Sequence, residues 1–252
     1  MPTALVTGAS SGIGEQFARQ LADRGYGLVL LARRKDRLRA LADELPTRTE
    51  VLAMDLSTEA SDVAGAVEKL GLEIDLLVNS AGFGTHGRFL DQQAAVEADE
   101  VRVNCEAVVT LTHAFLPGMV ERDWGGVITV ASTAGQQPLP YEAVYSASKA
   151  FARTFHDALH TELRDTGVRV LCVNPGPVPT EWQKVAGFED GAEKIPGAIS
   201  AQQCVAESLE AYDRNRRAVV PGAKIRWLMR IADLPTPRSV QLRVTERLYR
   251  PD

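Results

Sequence analysis

The sequence predicts an α/β chain: one doubly wound domain, a parallel sheet of about seven strands with helices on both faces. Three observations predict it. Seven short runs rich in Val, Leu and Ile recur along the 252 residues without strict polar alternation, as in strands buried on both faces. Helix-period segments separate them, so strand and helix alternate for about 220 residues with no low-complexity linker. Most runs end in a Gly, Ser, Asn or Asp cluster, and these ends would share the sheet edge where such folds bind ligands.

The first strand, TALVTG (3–8), runs into TGASSGIG, Thr7 to Gly14, and then a helix over 13–24. Gly8, Gly12 and Gly14 remove Cβ atoms where the chain turns sharply or meets another backbone. The free N–H groups of the following helix suit a pyrophosphate. The same glycines also serve a strand–helix turn that binds nothing; their place after the first strand of a βαβ pattern favours a dinucleotide. The second strand (27–32) ends at Ala32, where an acid would hold the ribose diol of NAD, and Arg33, Arg34 and Lys35 follow. Arg33 is expected to hold a 2′-phosphate, which selects NADP(H) over NAD(H). Arg34 and Lys35 read as the solvated start of the helix 35–45.

The third strand (49–55) closes on Asp55, which can cap the helix over 58–70. The fourth (74–82) carries Asn79, Ser80, Ala81 and Gly82 at its end, and a long helix over 92–122 holds Asn104. The fifth (125–132) ends at Ser132, and the helix over 144–166 opens with Tyr145 and Lys149, four residues apart and so on one face. The sixth (168–176) ends at Pro175 and Gly176, and the seventh lies at 217–222. Residues 177–201, with their Gly and Pro, sit where a lid would. This reading makes 1–222 the catalytic domain and 223–252 a basic amphipathic extension.

Net charge is −5, with no general pull toward nucleic acid. Arg214 to Arg250 carries ten Lys/Arg against two acids, a local +8 that leaves about −13 elsewhere. That tail packs on its own domain or a neighbouring subunit, lies on an anionic membrane through Trp227, Leu228, Ile231 and Leu234, or steers an anionic substrate. Cys105, Cys172 and Cys204 are odd in number and widely spaced, as in a reduced, cytoplasmic protein. No leader peptide is read in MPTALVTG, and no uninterrupted apolar run approaches the roughly 18 residues of a membrane span. His86, His113, His156 and His160 show no metal spacing, so no metal is expected.

Together these residues resemble the classical short-chain dehydrogenase/reductase family over roughly residues 2–222. The turn Thr7–Gly14 has the TGxxxGxG spacing, Asn79–Gly82 is similar to NNAG with Ser80 for the second Asn, and Ser132, Tyr145 and Lys149 have the catalytic spacing. Pro175, Gly176 and Thr180 match PGxxxT. The resemblance implies a Rossmann-type fold and hydride transfer between NADP(H) and a carbonyl or alcohol carbon. It assigns catalysis to Asn104, Ser132, Tyr145 and Lys149. It assigns cofactor contacts to Gly8, Ser10, Ser11, Gly12, Ile13, Gly14, Arg33, Asp55, Leu56, Asn79, Ala81, Gly82, Tyr145, Lys149, Pro175, Gly176, Val178 and Thr180. Tyr145 would be the acid/base, Ser132 would donate to the substrate oxygen, Asn104 would position a relay water, Asp55 would contact adenine instead of serving only as a cap, and Thr180 would bind the carboxamide. Lowering a phenol by about three units takes roughly 4 kcal/mol, about what one cation 4 Å away supplies at an effective dielectric near 20; Lys149 is expected to be that cation.

Phe83, Leu139, Tyr141, Trp182, Val185 and Phe188 point to a lipophilic ketone, aldehyde or secondary alcohol, or simply seal the lid. The family resemblance also implies a homodimer or homotetramer through 92–122 and 144–166. The rival from another class is a catalytically silent NADP(H)-sensing regulator; an intact Ser132–Tyr145–Lys149 set speaks against it.

Overall fold

A computed structural model describes residues 1–186, 197–232 and 237–250. Its strands are β1 (Thr3–Thr7), β2 (Gly27–Ala32), β3 (Thr49–Ala53), β4 (Leu76–Asn79), β5 (Gly125–Val130), β6 (Val168–Val173) and β7 (Ala218–Val219). They form one sheet in the order β3-β2-β1-β4-β5-β6-β7, parallel throughout. The doubly wound class read from the apolar runs is therefore the observed one. Alternate residues face opposite layers even though both are buried. In β1, Ala4 and Val6 join Phe17, Leu21, Leu38 and Leu209 on one side, while Leu5 joins Val63, Leu77, Leu111 and Met119 on the other.

The helices are α1 (Gly12–Asp23), α2 (Lys35–Glu44), α3 (Val63–Lys69), α4 (Ala94–Val101), α5 (Ala107–Glu121), α6 (Ala143–Glu162), α7 (Trp182–Val185), α8 (Ala201–Asp213), α9 (Ala223–Ala232) and α10 (Arg238–Tyr249). The predicted helix over 92–122 is α4 and α5 joined by a π-helical turn, Arg102–Glu106. An 18-residue window within Ala94–Glu121 has mean hydropathy 1.2, so this helix is long and apolar enough by composition to cross a membrane. Reading only uninterrupted apolar runs missed that, because Asp, Glu and Arg interrupt the sequence but not the helix. The fold lays α5 against β4 and β5.

The topological switch lies at β1, which pairs with β2 on one side and β4 on the other. Its carboxyl end and that of β4 therefore bound the crevice where a ligand binds in such sheets. Thr7 ties the two ends together: its hydroxyl accepts from the N–H groups of Ser80 and Ala81, both at 3.0 Å.

Candidate active site

The glycine turn is built for close approach. Gly8 and Gly12 have φ of +67° and +57°, a backbone that side chains resist. A Cβ on Gly8 would lie 2.8 Å from the Ala81 Cα, one on Gly12 3.0 Å from Thr180 Cγ2, and one on Gly14 would strike the Gly8 carbonyl oxygen. Ser11 is the N-cap of α1, yet its side chain accepts no capping bond from that helix. The N–H groups at the head of α1 are thus left to an anion, with the helix dipole behind them. These features fit a dinucleotide pyrophosphate: Gly8, Ser10, Ser11, Gly12, Ile13 and Gly14 would cradle it.

Arg34 stands at the exposed start of α2, as read, and also has partners that the sequence did not show: its guanidinium donates to Ser10 Oγ at 3.0 Å, Ser11 Oγ at 2.8 Å and Glu181 Oε2 at 2.7 Å. Arg37 holds the other Glu181 oxygen at 2.6 Å. Arg33 keeps 72% of its side chain exposed and makes only a loose pair with Asp55 at 3.8 Å. Asp55 makes the capping turn, Oδ1 accepting from Ser57 N at 2.9 Å and Ser57 Oγ at 2.8 Å. Burial would raise its carboxyl, but those bonds and Arg33 outweigh burial and hold it below the usual carboxylate value. Leu56 beside it is buried. Asn79 is buried with its side chain turned inward, donating to Thr112 and Thr129, both at 3.3 Å; only its backbone faces the crevice side occupied by Ala81 and Gly82.

The four residues assigned to catalysis converge. Ser132 follows β5; its hydroxyl accepts from Ala134 N at 3.1 Å and lies near enough to the Tyr145 phenol to draw it down. Lys149 Nζ lies over the Tyr145 ring, 5.7 Å from its centroid, and donates to the Val130 carbonyl at 3.1 Å. Asn104 sits in the π turn, donating to Phe83 O at 2.8 Å and Ser148 Oγ at 3.0 Å and accepting from Phe83 N at 3.2 Å. Such turns often mark functional positions; here the extra residue per turn lets Asn104 grip the 82–83 backbone. A Cβ on Gly82 would meet Asn104 Oδ1 at 2.9 Å and Lys149 Nζ at 3.1 Å, so all three share one point.

The electrostatics differ from the expected ones. Burial pushes the Tyr145 phenol above its ordinary value of 10, the Ser132 hydroxyl opposing and Glu142, Glu100 and Tyr249 adding to the rise. Burial also draws Lys149 down to about 8. The lowering of the phenol expected from one adjacent cation is not seen: Lys149 is not among the groups that act on it, and desolvation dominates both residues.

The segment expected to form a lid begins at Pro177, and its residues 187–196 lie outside the described residues. Val178 is buried, Thr180 N donates to Gln183 Oε1 at 2.9 Å, and the Trp182 ring lies 4.9 Å from that of Tyr145. Leu139 is buried and Tyr141 has φ of +68°. Phe188, Leu234 and the side chains of Val185 and Ile231 lie outside the described residues. The tail docks on its own chain: Ile225 of α9 packs against Gly176 and Gly197, and Arg226 pairs with Glu207 at 2.6 Å. The end of α10 returns toward the site, Arg250 Nε donating to the Tyr141 hydroxyl at 3.4 Å. Sequence reasoning missed the contacts of Thr7 and Arg34 and passed over Thr85, Glu97, Glu100, Glu181 and Tyr249; the spacing of Glu97 and Glu100 on one helix face was a usable signal.

A family model for short chain dehydrogenases matches residues 2–189. The chain belongs to the short chain dehydrogenase family. It is similar to the NADP-dependent 3-hydroxy acid dehydrogenase of Escherichia coli, 38% identical over 197 residues that cover 75% of this chain and 79% of that one. It is also similar to a very-long-chain 3-oxoacyl-CoA reductase of Phaeosphaeria nodorum, 36% identical over 193 residues covering 72% of this chain. The chain spans 56% of the length of that fungal relative. Among solved structures, a short-chain dehydrogenase from Sphingobium yanoikuyae in complex with NADPH superposes with a TM-score of 0.81 at 31% identity, covering 94% of this chain and 97% of that one. This short chain dehydrogenase is an oxidoreductase with NADP-dependent relatives.

Proposed function

We propose that this chain transfers a hydride between NADP(H) and the carbonyl or secondary alcohol carbon of a lipophilic substrate. One observation carries the reading: the Lys149 ammonium lies over the Tyr145 ring and beside Gly82, next to Ala81, against which the glycine turn packs at Gly8. The cofactor supplies the hydride donor or acceptor and, when oxidised, a positive charge. In reduction, Tyr145 gives its proton to the carbonyl oxygen, and a phenol held above its ordinary value is in the protonated form this step needs. Ser132 donates to the same oxygen as negative charge grows there. Lys149 would hold a ribose hydroxyl of the bound cofactor and would replenish the phenol's proton, with Asn104 fixing the Phe83 backbone beside it. Thr180 stands against Gly12 and would orient the carboxamide.

Arg33, exposed and loosely paired, would take the 2′-phosphate, in keeping with the NADP-dependent relatives. A lipophilic substrate is favoured by Trp182 against Tyr145, by the buried Leu139 and by the relative that reduces very-long-chain 3-oxoacyl groups. We place the protein in the cytoplasm as a homo-oligomer joined through α4–α5 and α6, whose exposed faces carry Val101, Val109 and Phe151. Trp227 and Leu228 stand exposed on α9, which leaves peripheral membrane contact as its second use. The deciding experiment pairs Tyr145→Phe with a panel of lipophilic ketones: turnover should vanish while NADPH binding stays within about twofold. Unchanged turnover would overturn the mechanism, and a wild type that binds NADPH but oxidises it with none of the carbonyls would favour the cofactor-sensing alternative.

A further inference from the structure

Glu100 is wholly buried and Glu97 nearly so, both on the side of α4 that packs toward α6. One Glu100 oxygen, Oε1, has no hydrogen-bond partner among the described residues. An unbonded carboxylate oxygen in the interior is costly and calls for an explanation. The Thr85 hydroxyl lies 2.6 Å from Glu97 Oε1 and 3.4 Å from Glu100 Oε2. It has one proton to give, and the nearer Glu97 receives it. Its lone pairs remain free to accept from a protonated Glu100. The Thr85 hydroxyl is thus within reach to donate to either carboxyl while accepting from the other, so the three groups form a chain that can pass a proton in either direction.

The inner end of that chain faces the catalytic set. Asn104 lies one helical turn beyond Glu100, and Asn104 and Lys149 share the point at Gly82. We propose that Glu100, Thr85 and Glu97 are the proton route between Lys149 and solvent, which rests on the hydride-transfer reading above. In reduction a proton enters at Glu97, and the Thr85 hydroxyl passes its own proton inward as it accepts that one. Glu100 carries it to the Lys149 side, where the phenol is replenished after protonating the substrate oxygen. In oxidation the same O–H bonds break and form in reverse, with no change of oxidation state along the route.

The charged and titratable groups that act on Glu100 agree with such a carrier. Burial first, and then the charge of Glu97, raise it to about 7, with Lys149 opposing. Cys105 and Tyr145 are the other titratable groups coupled to it. A carboxyl poised near neutrality can both take and give a proton there.

The test has two arms. Carbon-detected NMR titration of the glutamate carboxyls in the full chain, assigned with Glu100→Gln, should show Glu100 titrating near neutrality and moving higher in Lys149→Met. This arm needs no turnover, so it stands or falls separately from the oxidoreductase reading. An ordinary carboxylate midpoint, or one indifferent to Lys149→Met, would overturn the route. In ketone reduction, Thr85→Val should lower kcat about tenfold and enlarge the solvent deuterium isotope effect, with NADPH affinity unchanged, and Thr85→Ser should restore both. A Thr85→Val enzyme with wild-type kcat and isotope effect would also overturn it.

Discussion

The Lys149 ammonium lies 5.7 Å from the centre of the Tyr145 ring and is bonded to the Val130 carbonyl, buried with it beneath the 82–83 backbone. Burial has opposite effects on the two: the phenol rises and the ammonium falls, to about 8. Below that value the amine is charged and can supply a proton; above it the charge is lost. Ketone reduction should therefore decline as pH passes upward through about 8. Lys149→Met should cost about a hundredfold in kcat, within the range general acid–base groups contribute, and should remove that decline from the residual rate. A variant that keeps the alkaline decline would assign it to another group.

Arg33 and Arg34, adjacent in sequence, should separate in function. Arg34 commits its donors to Ser10, Ser11 and Glu181, so it shapes the glycine turn for any dinucleotide. Arg33 is exposed with one loose partner. A charge-assisted bond is worth about 1.5–3 kcal/mol, or roughly ten- to a hundredfold. Arg33→Ala should raise KM for NADPH by about that factor and leave KM for NADH nearly unchanged, whereas Arg34→Ala should raise both alike. Steady-state kinetics with the two cofactors read the difference, and equal effects of Arg33→Ala on both would remove its assignment to the 2′-phosphate.

What the sequence made legible follows a physical division. The five inner strands could be read because a strand buried on both faces is a run of Val, Leu and Ile whatever it pairs with, and the part-buried edge strands β3 and β7 carry shorter runs of the same kind. The spacing from Ser132 to Tyr145 to Lys149 could be read because one strand end and one helix face position all three. The role of Arg34 could not, because it depends on Glu181, 147 residues away. The inward turn of Asn79 depends on Thr112 and Thr129, which only the packed sheet and α5 bring to it. The raised phenol depends on desolvation by the whole fold, and the coupling of Tyr249 to Tyr145 on a helix more than a hundred residues further on.

His156 links the fold to acid stability. It is fully buried in α6, its Nδ1 3.1 Å from the Ala152 carbonyl oxygen and its Nε2 without a partner among the described residues. Burial lowers it from 6.5 to about 4. The unfolded chain thus binds a proton at a pH where the folded chain does not. Stability from this residue is full above about 6.5 and is lost as pH falls toward 4, a loss of about 3 kcal/mol at 1.36 per unit. The stability difference between wild type and His156→Met, from urea unfolding at pH 7 and pH 4.5, should shift by an amount of that order; a difference constant with pH would show that the ring is protonated in the fold.

The end of α10 offers a handle on substrate choice. Arg250 donates to the Tyr141 hydroxyl, and Tyr249 is pushed up to about 12 by burial and the Glu142 charge and is coupled in turn to Tyr145. That brings the end of the tail to Tyr141, one of the residues expected to line the substrate pocket. Tyr249→Ala should therefore open the pocket and leave the dinucleotide cradle untouched. The ratio of kcat/KM for a bulky ketone over a small one should change by about tenfold, the loss of a few apolar contacts, while NADPH affinity stays the same. Thermal unfolding should move little, since α10 leaves Val240, Leu242, Val244 and Leu248 exposed and carries little of the core. If the substrate ratio holds constant across such a series, the tail plays no part in the pocket and its basic face serves a surface instead.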